Sequence, residues 1–304
     1  MNDNSFRTAG RTAGRTAPEA DGQRDGNGAA GGAVVAEPLL AVRGLRVVID
    51  GLHILHGVDI DVAATGVTAL LGRNGAGKTT TAKAVMGLVP RTGSIRFDGV
   101  ELAGLPTHQV VRQGIGYAPE DRGIFAGLTV AENLRLAERD AEPAYDLVHE
   151  LFPELRTRAR QLAGTLSGGQ QQMVAIGRTL LNRNRLVIAD EPTKGLAPKI
   201  VSEVAEVLAR AAERVPVLLV EQNLALVRRL ADRCAVLADG RTAHQGVAAD
   251  LLADEEAARR LLGVGGRRTV EPVTHPAAAA ASTGFLQRAA DPDPTASVTE
   301  VISP

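Results

Sequence analysis

Nine consecutive residues, Gly72-Arg73-Asn74-Gly75-Ala76-Gly77-Lys78-Thr79-Thr80, combine what is needed to hold a chain of phosphates. They match the pattern GxxxxGK[ST]. Its glycines let successive backbone N–H groups converge on phosphate oxygens, and a helix N-terminus behind them adds positive potential. Lys78 has the reach for β- and γ-phosphates, and the Thr79 hydroxyl is a ligand for Mg²⁺. A glycine-rich turn can match such a pattern by accident. Here the apolar run Val67–Leu71 ends where the loop begins and Lys78–Leu88 can continue as a helix, which is the context the motif requires.

Two further segments bear chemistry. Leu186-Val187-Ile188-Ala189 ends in Asp190-Glu191, so a buried strand delivers two carboxylates to its C-terminal end, the edge where α/β sheets bind ligands. An isolated Asp-Glu after a strand is ordinarily a turn or a helix cap. With a phosphate loop about 110 residues upstream, Asp190 reads as a residue of the Mg²⁺ shell and Glu191 as the general base that polarises water. In Leu166-Ser167-Gly168-Gly169-Gln170-Gln171-Gln172, Ser167 reads as the N-cap of a helix running through Leu181, and two glycines leave the following amides unshielded. The cap alone is an ordinary feature; beside a complete phosphate loop it suggests phosphate held from two sides.

The elements that must position these residues are legible in outline. Val58-Asp59-Ile60-Asp61-Val62 alternates with period two, as does Ser94-Ile95-Arg96-Phe97 before the turn signal Asp98-Gly99, so both read as antiparallel strands with one wet face. Val67–Leu71, Leu186–Ala189 and Val217–Val220 are continuously apolar, the pattern of parallel strands covered on both faces. Helical spacing joins Met173, Ile176 and Leu180, and again Val201, Val204 and Leu208. An antiparallel region feeding a parallel sheet predicts an α/β core with an attached β subdomain. Residues 1–37 repeat Arg-Thr-Ala-Gly and then turn to Gly, Asp and Asn. Residues 265–304 are rich in Ala, Pro, Ser and Thr. Both read as low-complexity tails around one folded unit, 38–264.

Composition narrows the function classes. The 304 residues carry 34 Lys+Arg against 35 Asp+Glu, for a net charge of −1, so a dedicated nucleic-acid binder is not expected. Aromatics make up 2% with no Trp, which argues against stacking platforms. A single cysteine, Cys234, excludes an internal disulfide and a cysteine-cluster metal site and fits a reducing compartment. No apolar stretch is long enough to span a bilayer, and the arginine-bearing N-terminus has no apolar core of a secretory signal. Only four of the basic residues are lysines, at 78, 83, 194 and 199, which singles out each of them.

A phosphate loop, then Leu-Ser-Gly-Gly-Gln, then an apolar strand ending in Asp-Glu-Pro resembles the ATP-binding cassette ATPase family over roughly residues 38–264. The resemblance implies a P-loop NTPase core with a parallel sheet, an N-terminal antiparallel β subdomain and an inserted α-helical subdomain. It implies ATP and Mg²⁺ as ligands and hydrolysis coupled to transport. It also implies a head-to-tail pair of ATPase subunits, in which Ser167, Gly168, Gly169 and Gln170 face nucleotide on the other subunit.

Departures from the commonest cassette pattern narrow the branch. Glu120 stands where a coupling-loop Gln is usual, Gln222 where a switch histidine is usual, and Ala197 where a loop aspartate is usual. Gln222 can hydrogen-bond phosphate or water but cannot carry a proton near neutral pH. Pro119-Glu120-Asp121-Arg122-Gly123-Ile124-Phe125, Gly195-Leu196-Ala197-Pro198 and Val220-Glu221-Gln222-Asn223 resemble the ATPase subunit of branched-chain amino acid importers, a pattern shared by urea and short-amide importers. The implied assembly has two transmembrane permease subunits and a second ATPase subunit, identical or paralogous. An external substrate-binding protein completes it, with this chain at the cytoplasmic face of the plasma membrane. An exporter ATPase shares every catalytic motif and is the alternative. A soluble cassette ATPase fits less well, because the chain has one phosphate loop and no sustained heptads. Where the family offers an aromatic ring to adenine, the candidates are Val48 and Ile49. His53 and His56 beside them read as ordinary surface histidines, and Thr129 with Glu132 as a capping box.

Overall fold

Strands that are apolar on both faces must be covered on both faces, and the three such runs lie side by side in the middle of one sheet. The structure is a computed structural model describing residues 37–263. The tails expected over 1–37 and 265–304 lie outside these residues, apart from Glu37. The chain begins with β1 (Leu40–Ile49) and β2 (Leu52–Val62), then β3 (Val67–Gly72), α1 (Lys78–Val85), β4 (Thr92–Phe97) and β5 (Val100–Glu101). Next come α2 (Thr107–Arg112) and β6 (Ile115–Ala118), followed by the helical insertion α3 (Val130–Arg135), α4 (Tyr145–Leu151) and α5 (Pro153–Thr157). The long α6 (Gly168–Leu180) leads into β7 (Leu186–Asp190), α7 (Pro198–Ala212), β8 (Val217–Val220) and α8 (Leu224–Leu230). The described chain ends with β9 (Arg233–Ala238), β10 (Arg241–Val247), α9 (Ala248–Ala253) and α10 (Glu255–Leu262).

These strands form two sheets. One is antiparallel, in the order β2-β1-β4-β5. The other runs β10-β9-β3-β8-β7-β6, parallel throughout except for β10 at its edge. This is the α/β class expected, with the antiparallel subdomain ahead of the parallel core and the helices inserted between β6 and β7. Alternate residues of the central strands enter different cores. Leu70, Ile188 and Leu218 pack toward Leu40, Val47 and Phe97 of the antiparallel sheet and toward Ala82 and Val85 of α1. Val187, Ala189 and Leu219 pack toward Met173 and Val174 of α6 and Val204 and Leu208 of α7. Each Val, Leu, Ile, Met or Phe buried here contributes about 1.5–3 kcal/mol, and each Ala less. The parallel ladder sets Leu70 opposite Val220, Val220 opposite Asp190, and Ala189 opposite Ala118. The segments that follow β3, β8, β7 and β6 therefore leave the sheet from one edge. These are the phosphate loop, Gln222, Glu191 and Glu120.

Helix ends follow local chemistry. The helix after the phosphate loop stops at Val85, short of the Leu88 its pattern allows. Gly87 takes φ +74°, and the Leu88 N–H turns back to the Lys83 carbonyl at 2.9 Å. The expected capping box opens α3: Thr129 Oγ1 accepts from the Glu132 N–H at 3.2 Å, and Glu132 Oε2 accepts from the Thr129 N–H at 2.8 Å. The insertion packs Val130, Leu134, Val148, Phe152 and Leu155 against α6, so α6 belongs both to the helical region and to the wall of the parallel core.

Candidate functional site

The phosphate loop leaves β3 at Gly72 and enters α1 through Gly77, whose φ of +100° is left-handed. A Cβ at Gly77 would lie 2.5 Å from Leu55 Cδ2, so both backbone conformation and space demand glycine there. Arg73, Asn74 and Gly75 form the exposed rim, Ala76, Gly77 and Lys78 are buried, and Thr79 and Thr80 are half-buried. The Lys78 ammonium is folded under the loop, donating to the carbonyls of Gly72 at 3.1 Å and Arg73 at 3.3 Å. It also lies 3.5 Å from Glu191 Oε1.

Asp190 ends β7 fully buried. Its Oδ1 accepts from Thr79 Oγ1 at 3.0 Å and its Oδ2 from the Tyr117 hydroxyl at 2.9 Å. Burial pushes the Asp190 carboxyl up, the two hydrogen bonds pull it back, and Glu120 and Glu191 add like charge. Burial, followed by the field of Asp190, pushes the Tyr117 phenol well above its usual range. No Lys or Arg among the described residues pairs with Asp190, so a buried carboxylate and a hydroxyl stand together without a counter-charge. That hard-oxygen pair fits Mg²⁺, which characteristically takes one or two protein oxygens and completes its shell with phosphate and water. No three His, Cys, Asp or Glu side chains converge among the described residues, so the protein alone does not supply a full ligand cage.

Glu191 follows at φ +44°, a left-handed backbone for a non-glycine residue. It is held by its N–H, which donates to the Val220 carbonyl at 2.8 Å. Its side chain is buried, and Oε2 has no hydrogen-bond donor among the described residues, although Lys194 Nζ is 3.6 Å away. Lys194 also pairs with Glu120, and hydrogen bonding to Glu120 pushes the ammonium further above its usual value. Gln222 is exposed at the end of β8. Its N–H and that of Asn223 donate to Glu221 Oε2 at 2.8 and 2.9 Å, while Thr193 Oγ1 bonds Glu221 Oε1. A buried carboxylate thereby joins the loop after β8 to the loop after Glu191.

Ser167 caps α6 as its sequence indicates. Its Oγ accepts from the Gln170 N–H at 3.3 Å, and Gln170 Oε1 accepts from the Ser167 N–H at 3.1 Å. The Gln170 amide also donates to Glu154 at 2.8 Å. A Cβ at Gly168 would meet Arg122, and one at Gly169 would lie 2.4 Å from Ile200 Cγ2. The neighbours of Ser167–Gln170 thus come from Arg122, Glu154 and Ile200, and none belongs to the phosphate loop of the same chain. At the end of β1, Val48 is exposed and Ile49 half-buried, and no Phe, Tyr or Trp occurs between Glu37 and Leu71. The rings of His53 and His56 stack at 6.0 Å.

Beside the site runs a groove of about 1100 Å³ whose wall includes Lys83, Tyr117, Glu120, Arg178 and Lys194. Arg178 of α6 donates to the Gly123 carbonyl at 2.5 Å and lies 5.3 Å from the centre of the Phe125 ring, while Arg122 donates to Gln171 at 3.0 Å. The segment from Pro119 to Phe125 is therefore tied to α6 along one wall of the groove. Phe125 itself is exposed, and Ile124 packs partly on the helical core. Three residues that act in this arrangement are not singled out by a chemical motif, Tyr117, Thr193 and Lys194, while Glu221 lies within the Val220–Asn223 motif without a role assigned to it there. Tyr117 and Lys194 belong to scarce types, since the chain has two tyrosines and four lysines, and for these two that rarity is the mark the sequence offers.

The sequence and fold have known counterparts. A family model described as ABC transporter matches residues 55–194. The high-affinity branched-chain amino acid transport ATP-binding protein BraG of Pseudomonas aeruginosa is 41% identical over 219 residues, which cover 70% of this chain and 94% of that protein. The lipopolysaccharide export system ATP-binding protein LptB of Escherichia coli is 32% identical, over 74% of this chain and 97% of its own length. A solved nucleotide-free ATP-binding cassette from an ABC transporter aligns with a TM-score of 0.63 at 22% identity, covering 75% of this chain and 99% of that one. At that identity the likeness is one of fold.

Proposed function

From the premise that this chain belongs to the ABC transporter family as an ATP-hydrolysing subunit, we propose that it drives import of branched-chain or other hydrophobic amino acids. Urea and short amides are the neighbouring cargo classes of the same branch. Residues 38–264 act as the ATPase domain. It works at the cytoplasmic face of the plasma membrane through two permease subunits and a second ATPase subunit, identical or paralogous, with an external binding protein delivering cargo. The importer reading is supported by the 41% identity to a branched-chain amino acid transport ATP-binding protein. Export is the second reading, favoured by the likeness to LptB at 32%.

The mechanism is supported above all by the meeting of Lys78, Asp190 and Glu191 at the ends of β3 and β7. The backbone amides of Gly72–Thr80 cradle the phosphates, and Lys78 exchanges the Gly72 and Arg73 carbonyls for phosphate oxygens. Thr79 and Asp190 are the residues that would hold Mg²⁺, which when bound neutralises charge on the β- and γ-phosphate oxygens. Glu191 accepts the proton of the attacking water, Gln222 orients water or phosphate by hydrogen bonding, and Glu120 faces the site from the end of β6. Ser167, Gly168, Gly169 and Gln170 meet the nucleotide held by the other subunit, with the α6 dipole favouring its γ-phosphate.

The test is the Glu191→Gln variant, tagged and expressed in its own membranes, solubilised with ATP and identified with its partners by mass spectrometry. We expect retained ATP binding, turnover reduced by about 10²-fold or more, a trapped ATPase dimer, and two permease-like proteins recovered with it. Turnover at the wild-type rate refutes the assignment of the base. Recovery from cytosol alone refutes the transporter.

A further inference from the structure

Glu191 stands between two ammonium groups. Lys78 approaches Oε1 at 3.5 Å from the phosphate loop, and Lys194 approaches Oε2 at 3.6 Å from the turn after β7. Oε2 is buried and has no hydrogen-bond donor among the described residues, so Lys194 is the counter-charge on that side. Lys194 is in turn anchored by its bond to Glu120 Oε1, and both residues line the groove.

A buried carboxylate beside a second one, Asp190, needs compensating charge. Lys78 cannot give it throughout turnover, because the lysine of a phosphate loop is drawn to the phosphates. Lys194 lies outside the phosphate loop, in the turn after β7, and is anchored on Glu120. We infer that Lys194 is a positioning residue for hydrolysis, holding the Oε2 side of Glu191 during turnover while anchored on Glu120; the inference rests on Glu191 being the general base. Glu120 therefore links the groove wall to the hydrolytic carboxylate through one side chain. Whatever draws Glu120 away from Lys194 changes the hold on Glu191. The Lys194 side chain is 56% exposed, so its pairing adds little to folding stability, and its removal should be felt in turnover rather than in the fold.

The full-length chain is assayed with magnesium-ATP in the steady state. Single turnover with protein in excess over radiolabelled ATP extends the reading to slow rates. Lys194→Ala is expected to lower kcat and the single-turnover rate about tenfold, leaving KM within about twofold because the phosphate loop is untouched. Lys194→Arg should recover most of the rate, since a cation returns to the same reach. A Lys194→Ala rate equal to wild type, a rise in KM in place of the fall in kcat, or an Arg variant no faster than Ala overturns the inference. Glu191→Gln is measured beside them. If it turns over normally the base reading itself has failed, whereas an inactive Glu191→Gln with a fully active Lys194→Ala removes only the role of Lys194.

Discussion

Tyr117→Phe deletes one oxygen and leaves the ring in place, so it isolates a single bond at the heart of the site. The phenol donates at 2.9 Å to Oδ2 of a fully buried carboxylate, and among the described residues Asp190 has only one other side-chain donor, Thr79 on Oδ1. A hydrogen bond to a charged acceptor contributes about 1.5–3 kcal/mol, and its loss here leaves a buried oxygen without a donor. The nucleotide-free variant should therefore lose about 2 kcal/mol of stability, or roughly 4–8 °C in Tm for a domain of this size. The pH dependence has a definite sign. Burial raises the folded-state value of Asp190 above its unfolded value, so ionised Asp190 weakens the fold, and this penalty is full once pH exceeds the folded value. The Tyr117 bond holds that value down, and its removal raises it further. The deficit of the variant should be largest at neutral pH and shrink as pH falls through the folded-state value of Asp190. The assay is urea unfolding of both proteins from neutral to acidic pH, without nucleotide and then with magnesium-ATP. The metal complex should narrow the gap, because a cation on Asp190 replaces what the phenol supplied. A neutral-pH loss below about 0.5 kcal/mol, far under the range for a charged hydrogen bond, or a deficit that grows toward acid, refutes the reasoning.

Two other outcomes test the binding elements. Lys78→Ala removes the loop's lysine and should abolish ATP binding in calorimetry; unchanged affinity would sink its assignment to the phosphates. Gly169→Ala puts a Cβ 2.4 Å from Ile200 Cγ2 and should cost about 1–3 kcal/mol in thermal unfolding, with Ile200→Ala in the same chain restoring part of the loss. Full stability of the single variant would mean that α6 and α7 can separate freely at this point.

The sequence marked the central strands and the loops that follow them because both signals are local. Val67–Leu71, Leu186–Ala189 and Val217–Val220 are too apolar to lie anywhere but under two covered faces, and each is followed at once by its chemical segment. Five strands of the described residues escaped, β9 and the two-residue β5 among them. In β1 the alternation Leu40, Val42, Leu45, Val47 slips by one at Gly44, where the ladder has an irregularity. β6 is four residues long, includes Gly116 and follows Gly114. β10 is a polar edge strand, and β9 lies between it and β3. α1 ends before its apolar spacing does, because Gly87 turns the backbone aside after Val85. Within the site, Tyr117 meets Asp190 across 73 residues of sequence and Lys194 meets Glu120 across 74. Proximity of that kind is set by strand order, with β6 beside β7, and no motif records it.

The strand β10 is an edge of the parallel sheet and β2 an edge of the antiparallel one, and the two edges close each other. Thr242 Oγ1 accepts from the Asp59 N–H at 3.0 Å and donates to the Asp59 carbonyl at 2.7 Å, Gln245 Oε1 accepts from the Asp61 N–H at 2.8 Å, and the His56 N–H reaches the Gly240 carbonyl at 2.8 Å. An open row of backbone donors and acceptors recruits foreign strands. At this seam the β2 row is occupied by residues lying some 180 positions later in the chain. A chain emerging from the ribosome completes β2 long before β10 exists, so the first sheet spends that interval with a raw edge exposed to its neighbours. Aggregation during synthesis is thus a hazard of the unfinished chain, and it ends when Thr242 and Gln245 arrive.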